Sequence, residues 1–122
     1  MKINPISPIV FKNQPNLKKL WLKGQLPEVI YGLYGGILKA DNITREHVKP
    51  RSWGGKTVLN NTALAVNINN WRRGNKPLAD YLSKQNYEQY LEQFDEILLP
   101  NFNGKLYKQN LFKTIMEALR MK

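Results

Sequence analysis

The sequence contains no cysteine and a single histidine, His47. Disulfides, thiolate zinc sites and cysteine nucleophiles are therefore excluded, and so is a zinc site built from several imidazoles. Acidic residues are also scarce, because 9 Asp and Glu stand against 19 Lys and Arg, a formal net charge of +10. An excess of this size favours a polyanionic partner, most often nucleic acid, although soluble lysine-rich proteins without such a partner share the composition.

Long apolar runs are missing as well. No stretch approaches the roughly 18–20 apolar residues of a membrane-spanning helix. Prolines interrupt the first 15 residues before any apolar signal region forms. We therefore expect no membrane association and an intracellular, cytoplasmic location. The length of 122 residues fits one domain, 1–122.

Charge divides this domain into three parts. Residues 1–40 and 41–76 each carry a net charge of +5, whereas residues 77–122 are neutral. The attraction to a polyanion therefore belongs to the first two parts, a basic N-terminal arm with a helix and a central core. The last part is expected to be a helical scaffold, and its amphipathic helices leave open a third interpretation, a small protein that docks a partner.

The outer parts predict helices. Three prolines make residues 1–16 an extended arm or packed coil, and Asn16 is expected to cap a short helix over 17–23. The last part predicts helices over 77–83, 86–98 and 106–120. The apolar stripes of the last two are expected to face the core. They consist of Tyr87, Tyr90, Leu91, Phe94, Ile97 and Leu98, and of Leu111, Phe112, Ile115, Met116 and Leu119.

The central part predicts two strands and a helix. Residues 43–48 favour a strand, 52–56 a turn, 57–59 the returning strand, and 65–73 a helix that Gly74 ends. Residues 27–40 fit either a strand or a helix, with bends at their glycines. The fold class is therefore α+β, a mainly helical small domain around one short β-hairpin.

Glu46 and His47 are neighbours on the first predicted strand. Adjacent strand residues point to opposite faces, so the two side chains share a cleft only if the strand bends. A lone histidine near phosphate-binding groups is a reasonable general base, since its ordinary pKa is about 6.5. Taken singly, each residue also has an ordinary structural interpretation. The surrounding basic residues favour phosphate: Arg45, Lys49, Arg51, Lys56, Arg72 and Arg73.

The order and spacing of these residues say more than any one of them. Asn61 lies fourteen residues after His47, and Asn70 lies nine after Asn61. Together with Glu46 and the flanking Pro50, Gly54, Gly55, Arg72, Arg73 and Gly74, this pattern over residues 44–76 resembles the HNH nuclease family, the ββα-metal endonucleases.

The resemblance implies a metal-dependent endonuclease that hydrolyses DNA phosphodiester bonds by nicking or double-strand cleavage, with RNA as a possible substrate. His47 is expected to deprotonate the attacking water, and Asn61 to tie the hairpin together and orient it. Glu46 and Asn70 are the expected metal ligands, and oxygen ligands favour Mg²⁺ or Mn²⁺. The six basic residues named above are expected to bind DNA.

Three departures from the family pattern matter. Glutamate stands at position 46, where aspartate or histidine is more usual, and Asn70 replaces a histidine. The cysteine zinc site that braces many members is absent, so apolar helices, with Trp53 and Trp71, are expected to brace the motif. The alternative function is a catalytically inactive DNA- or RNA-binding protein with the same fold. A role in a phage or mobile element, in restriction, as a toxin or in repair stays open, as does a monomeric or homodimeric state.

Overall fold

The computed structural model describes residues 14–121, so most of the expected arm over 1–16 lies outside the described residues. Two antiparallel hairpins and four α-helices make up the described part, an α+β domain as expected. In chain order they are α1 (Leu17–Leu22), β1 (Ile43–His47), β2 (Thr62–Val66), α2 (Asn67–Arg73), α3 (Lys84–Glu92), β3 (Leu98–Leu99), β4 (Phe102–Asn103) and α4 (Gly104–Leu119). The hairpin of β3 and β4 was not predicted.

The central hairpin pairs β1 with β2 from Ile43 opposite Val66 to His47 opposite Thr62. The prediction that the chain returns at 57–59 was wrong. A 3-10 turn at Leu59–Asn61 comes first, and the strand begins at Thr62. The strand coincides with burial, because the first four residues of β2 are buried and Ala63, Leu64 and Ala65 belong to the hydrophobic core.

The outer edge of β2 is closed without a third strand. The Leu64 amide donates to the Tyr90 hydroxyl at 2.9 Å, and the Tyr107 hydroxyl donates to the Thr62 carbonyl at 2.7 Å. The Leu64 carbonyl accepts from the Leu33 amide at 2.9 Å. Three separate segments thus satisfy the backbone groups that a two-stranded sheet leaves open.

Four of the five predicted helices are confirmed. The Asn16 side chain caps α1 by accepting from the Lys19 amide, as expected. Residues 77–83 form a single 3-10 turn, Leu78–Asp80, in place of the predicted helix. Residues 27–40 contain neither helix nor strand but turns and an isolated bridge between Tyr31 and Ile37.

The last two helices carry most of the predicted stripes into the core. α3 ends at Glu92, six residues earlier than expected, and Leu98 lies in β3 with 75% of its surface exposed. Phe112 on α4 is also exposed, whereas Tyr107, Leu111 and Ile115 are buried. Within residues 14–121, no helix has the length and apolar character needed to cross a bilayer.

Candidate active site

Glu46 and His47 point to opposite faces of β1. The Glu46 side chain faces the interior and is 3% exposed as a residue, whereas His47 is half-buried and reaches the surface. The strand is regular here, with Glu46 opposite Ala63 and His47 opposite Thr62. The bend that would bring both side chains into one cleft is absent from this part of the described chain.

The outer face opens on a groove of about 510 Å³ between α1 and β1. Its walls carry His47, three cationic side chains and three further residues; the full set is Asn16, Lys18, Lys19, Leu22, Thr44, Arg45 and His47. Because α1 contacts β1 directly, its lysines stand across the groove from the histidine. The groove therefore combines a titratable nitrogen with several positive charges.

Thr57 fixes the imidazole of His47. The Nε2 atom of His47 lies 2.8 Å from the Thr57 hydroxyl oxygen, and the direction of that hydrogen bond depends on the tautomer. When Nε2–H donates to Thr57, the other ring nitrogen holds the lone pair that accepts a proton. Thr57 thereby restricts the rotation of the ring.

Burial is the main cause that lowers the pKa of His47 below 6.5, and the charges of Arg45 and Arg51 lower that pKa further. Each of these effects disfavours the imidazolium form. The ring is therefore neutral at physiological pH, which is the state that a general base requires.

Asn61 ties together the loop that follows β1. Its Oδ1 accepts from the Lys49 amide at 2.8 Å, and its Nδ2 donates to the carbonyls of Lys49 and Lys56 at 3.0 and 2.9 Å. Gly55 completes the closure, because a Cβ at this position would lie 1.7 Å from the Lys49 carbonyl oxygen. The loop that presents Thr57 to His47 is thus held at both ends.

The inner face of β1 contains a buried ion pair. Arg73 Nη1 lies 3.2 Å from Glu46 Oε2 and donates to the His47 carbonyl at 2.9 Å. The Tyr34 hydroxyl donates to the same Glu46 oxygen. Burial raises the pKa of Glu46, while the hydrogen bond from Tyr34 and the charge of Arg73 oppose that rise. Arg73 therefore links the end of α2 to the backbone of the catalytic candidate.

These residues do not fit the metal site that the resemblance implies. The Glu46 carboxylate is already neutralised by a guanidinium that is 1% exposed. Arg73 Nη2 is the buried side-chain polar atom left without a partner in the described part of the chain, and a cationic donor at this place repels a metal ion. Residues 14–121 also contain no cluster of three or more His, Asp or Glu side chains able to hold a metal ion.

The second expected metal ligand, Asn70, is half-buried and faces β1 at a different point. Its Nδ2 donates to the Arg45 carbonyl at 3.3 Å and lies 3.5 Å from the Thr44 hydroxyl. No contact joins Asn70 to Glu46 among the described hydrogen bonds. In this arrangement Asn70 attaches α2 to β1.

The six expected DNA-binding residues divide by exposure. Arg45 is half-buried, and Arg51, Lys56 and Arg72 are exposed, so all four reach solvent. The prediction for Arg73 was wrong, because its guanidinium is inside the domain. Lys49 is half-buried, with its ammonium 3.8 Å from the Glu117 carboxylate on α4.

The structure contradicts the bracing role expected for Trp71, because this side chain is 78% exposed. Trp53 is half-buried. Sequence reasoning also missed Thr57, Lys18, Lys19 and Tyr34. The charge of the first 40 residues pointed towards the two lysines, whereas no pattern in the sequence distinguishes Thr57 or Tyr34 from other residues of their kind.

No family model, no curated protein and no solved structure matches this chain. The resemblance to HNH nucleases therefore depends on the order and spacing of residues 44–76 alone.

Proposed function

We propose that this protein is an endonuclease of the HNH type that hydrolyses phosphodiester bonds in DNA, with His47 as the general base. One observation carries the proposal: a neutral, half-buried imidazole opens on a cationic groove and is held in place by a hydroxyl.

The chemistry uses the ring nitrogen of His47 that does not contact Thr57. This nitrogen takes a proton from a water molecule as the water oxygen attacks phosphorus. The new P–O bond forms while the bond from phosphorus to the leaving sugar oxygen breaks. The leaving oxygen takes a proton from solvent, and the imidazolium releases its proton to solvent, which returns His47 to its neutral form.

The positive charges of the groove supply substrate binding. Lys18, Lys19 and Arg45 share its walls with His47 and suit the phosphates on either side of the scissile one. Such contacts release counterions, so affinity falls steeply as salt rises. They carry no base information, so we expect low sequence preference.

Two further features support the HNH type. β1, β2 and α2 follow one another as strand, strand and helix, and Asn61 closes the intervening loop through three hydrogen bonds. The requirement for Mg²⁺ or Mn²⁺ is part of the proposal through the resemblance alone, because Glu46 in its ion pair is not free to bind a metal.

That same ion pair favours the second candidate function, a catalytically inactive nucleic-acid-binding protein. The Glu46 carboxylate is occupied by Arg73 and Tyr34, so the position that resembles a metal ligand serves the fold. The groove and its charges would still bind DNA or RNA.

Plasmid cleavage separates the two functions. Purified protein is incubated with supercoiled plasmid in Mg²⁺, in Mn²⁺ or in EDTA, and His47→Ala is tested beside it. We expect nicked or linear product with metal, and a loss of about 10²–10⁴-fold in rate for the variant with DNA affinity retained. Intact plasmid under all conditions, with DNA bound, would establish the inactive function. Unchanged cleavage by His47→Ala would remove His47 from the role of base.

A further inference from the structure

The outer face of α2 carries an apolar surface with no cover. Trp71 is 78% exposed and Ile68, one turn earlier on the same face, is 44% exposed. The inner face of this helix is fully occupied, because Asn70 bonds to β1 and Arg73 is buried. The helix is thus held firmly while its largest side chain points into solvent.

Comparison with the other tryptophans shows how unusual this is. Trp21 is half-buried and donates its indole N–H to the Val29 carbonyl at 2.7 Å, and Trp53 is half-buried. Within residues 14–121, the indole N–H of Trp71 has no hydrogen-bond acceptor. An indole normally buries its large apolar surface, so exposure of this extent marks a contact surface.

The charges beside Trp71 identify the class of partner. Arg72 is exposed next to it, and residues 41–76, which include this helix, carry a net charge of +5. An exposed aromatic ring beside a cation on a basic part of the chain is suited to stack on a nucleobase while the cation holds a phosphate.

We infer that Trp71 stacks on an unpaired base of the nucleic acid that the protein binds, an inference that rests on the proposed function. A base inside a regular duplex has both faces covered by its neighbours, so the ring finds a partner where a strand is single or distorted. The protein therefore prefers single-stranded, frayed or branched DNA to regular duplex.

Binding measured in EDTA tests this inference independently of cleavage. A fluorescent oligothymidine and a duplex of equal length are titrated with the wild type, Trp71→Ala and Trp71→Phe. The matched control is Leu98→Ala, which removes an apolar side chain of similar exposure (75%) from the neutral part of the chain. Tryptophan emission of the wild type and of Trp71→Phe is followed in the same titrations.

We expect Trp71→Ala to weaken binding of the single strand by about 5- to 150-fold, the range for loss of one base–aromatic stack. Duplex binding should change less than about twofold, Trp71→Phe should retain most affinity, and Leu98→Ala should match the wild type. Quenching by the oligonucleotide should be smaller in Trp71→Phe.

Two outcomes would overturn the inference. One is an equal loss on single strand and duplex, or no loss at all. The other is a wild-type dimer in sedimentation that Trp71→Ala converts to monomer, which would assign the surface to a second copy of the chain. A failure of plasmid cleavage alone would leave the stacking result intact, so the two proposals fail separately.

Discussion

The two faces of β1 hold groups of similar kind in opposite settings. On the inner face, a carboxylate, a guanidinium and a phenol satisfy one another away from water. On the outer face, an imidazole and a hydroxyl pair beside lysines that have no anionic partner in the groove. Strand alternation alone separates these neighbours, and it places Glu46 in the interior and His47, the proposed general base, at the surface.

The largest expected effect is a loss of stability caused by a substitution on the inner face of β1. Arg73→Ala leaves the Glu46 carboxylate buried without its counter-charge and frees the His47 carbonyl, so we expect the free energy of unfolding to fall by about 3–5 kcal/mol. Urea unfolding followed by circular dichroism measures this.

Arg72→Ala is the matched control, because Arg72 is adjacent and exposed. It should change stability by less than about 0.5 kcal/mol and weaken DNA binding instead. Equal destabilisation by both variants would contradict the assignment of the inner face to stability.

A smaller effect, on the rate of cleavage, is expected from a substitution on the outer face of β1. Thr57→Val keeps the shape of the side chain but removes the hydroxyl that holds His47 Nε2, so we expect kcat for cleavage to fall about tenfold with KM little changed. The separate variant Thr57→Ser should keep wild-type activity, because serine retains the hydroxyl. Thermal unfolding should be unaffected by either change, since Thr57 is exposed. A large loss of stability in Thr57→Val would show that this face, too, serves the fold.

The smallest effect concerns pH. Cleavage requires neutral His47, and its pKa is lowered by burial and by the charges of Arg45 and Arg51. The rate should therefore rise with pH through a midpoint below 6.5, the ordinary value, and then level off. Arg51→Gln removes one positive charge, which makes protonation easier and moves the midpoint to higher pH. Cleavage rates of both proteins across the acid range measure the shift, and a midpoint that stays or moves down would contradict this account.

The sequence predicted those elements whose signals are local. The Asn16 cap located α1, Gly74 ended α2, and β1 fell within one residue of its expected range. The return strand is misplaced because the 3-10 turn at Leu59–Asn61 has no strong local signal and the predicted helix over 65–73 includes the last two residues of the strand.

The candidate site could be predicted only where its residues are linked by short spacings along the chain. Spacing brought out His47 and Asn61, but the partners of Glu46 depend on long-range packing. Tyr34 is twelve residues upstream and Arg73 is twenty-seven downstream. Arg72 and Arg73 have the same chemistry and differ in helical phase alone, which places one in solvent and the other in the core. To predict this difference, one must know which side of the helix faces the core.

The tyrosines along β2 have a consequence for how the protein behaves in concentrated solution. A two-stranded sheet with a free edge is a template for another chain, and growth along that edge leads to aggregates. Here the hydroxyls of Tyr90 and Tyr107 take up the edge groups of Leu64 and Thr62. The neutral C-terminal third thus covers the free edge of β2. We expect a fragment that contains β1, β2 and α2 alone to aggregate through this edge, because its backbone groups would be unpaired.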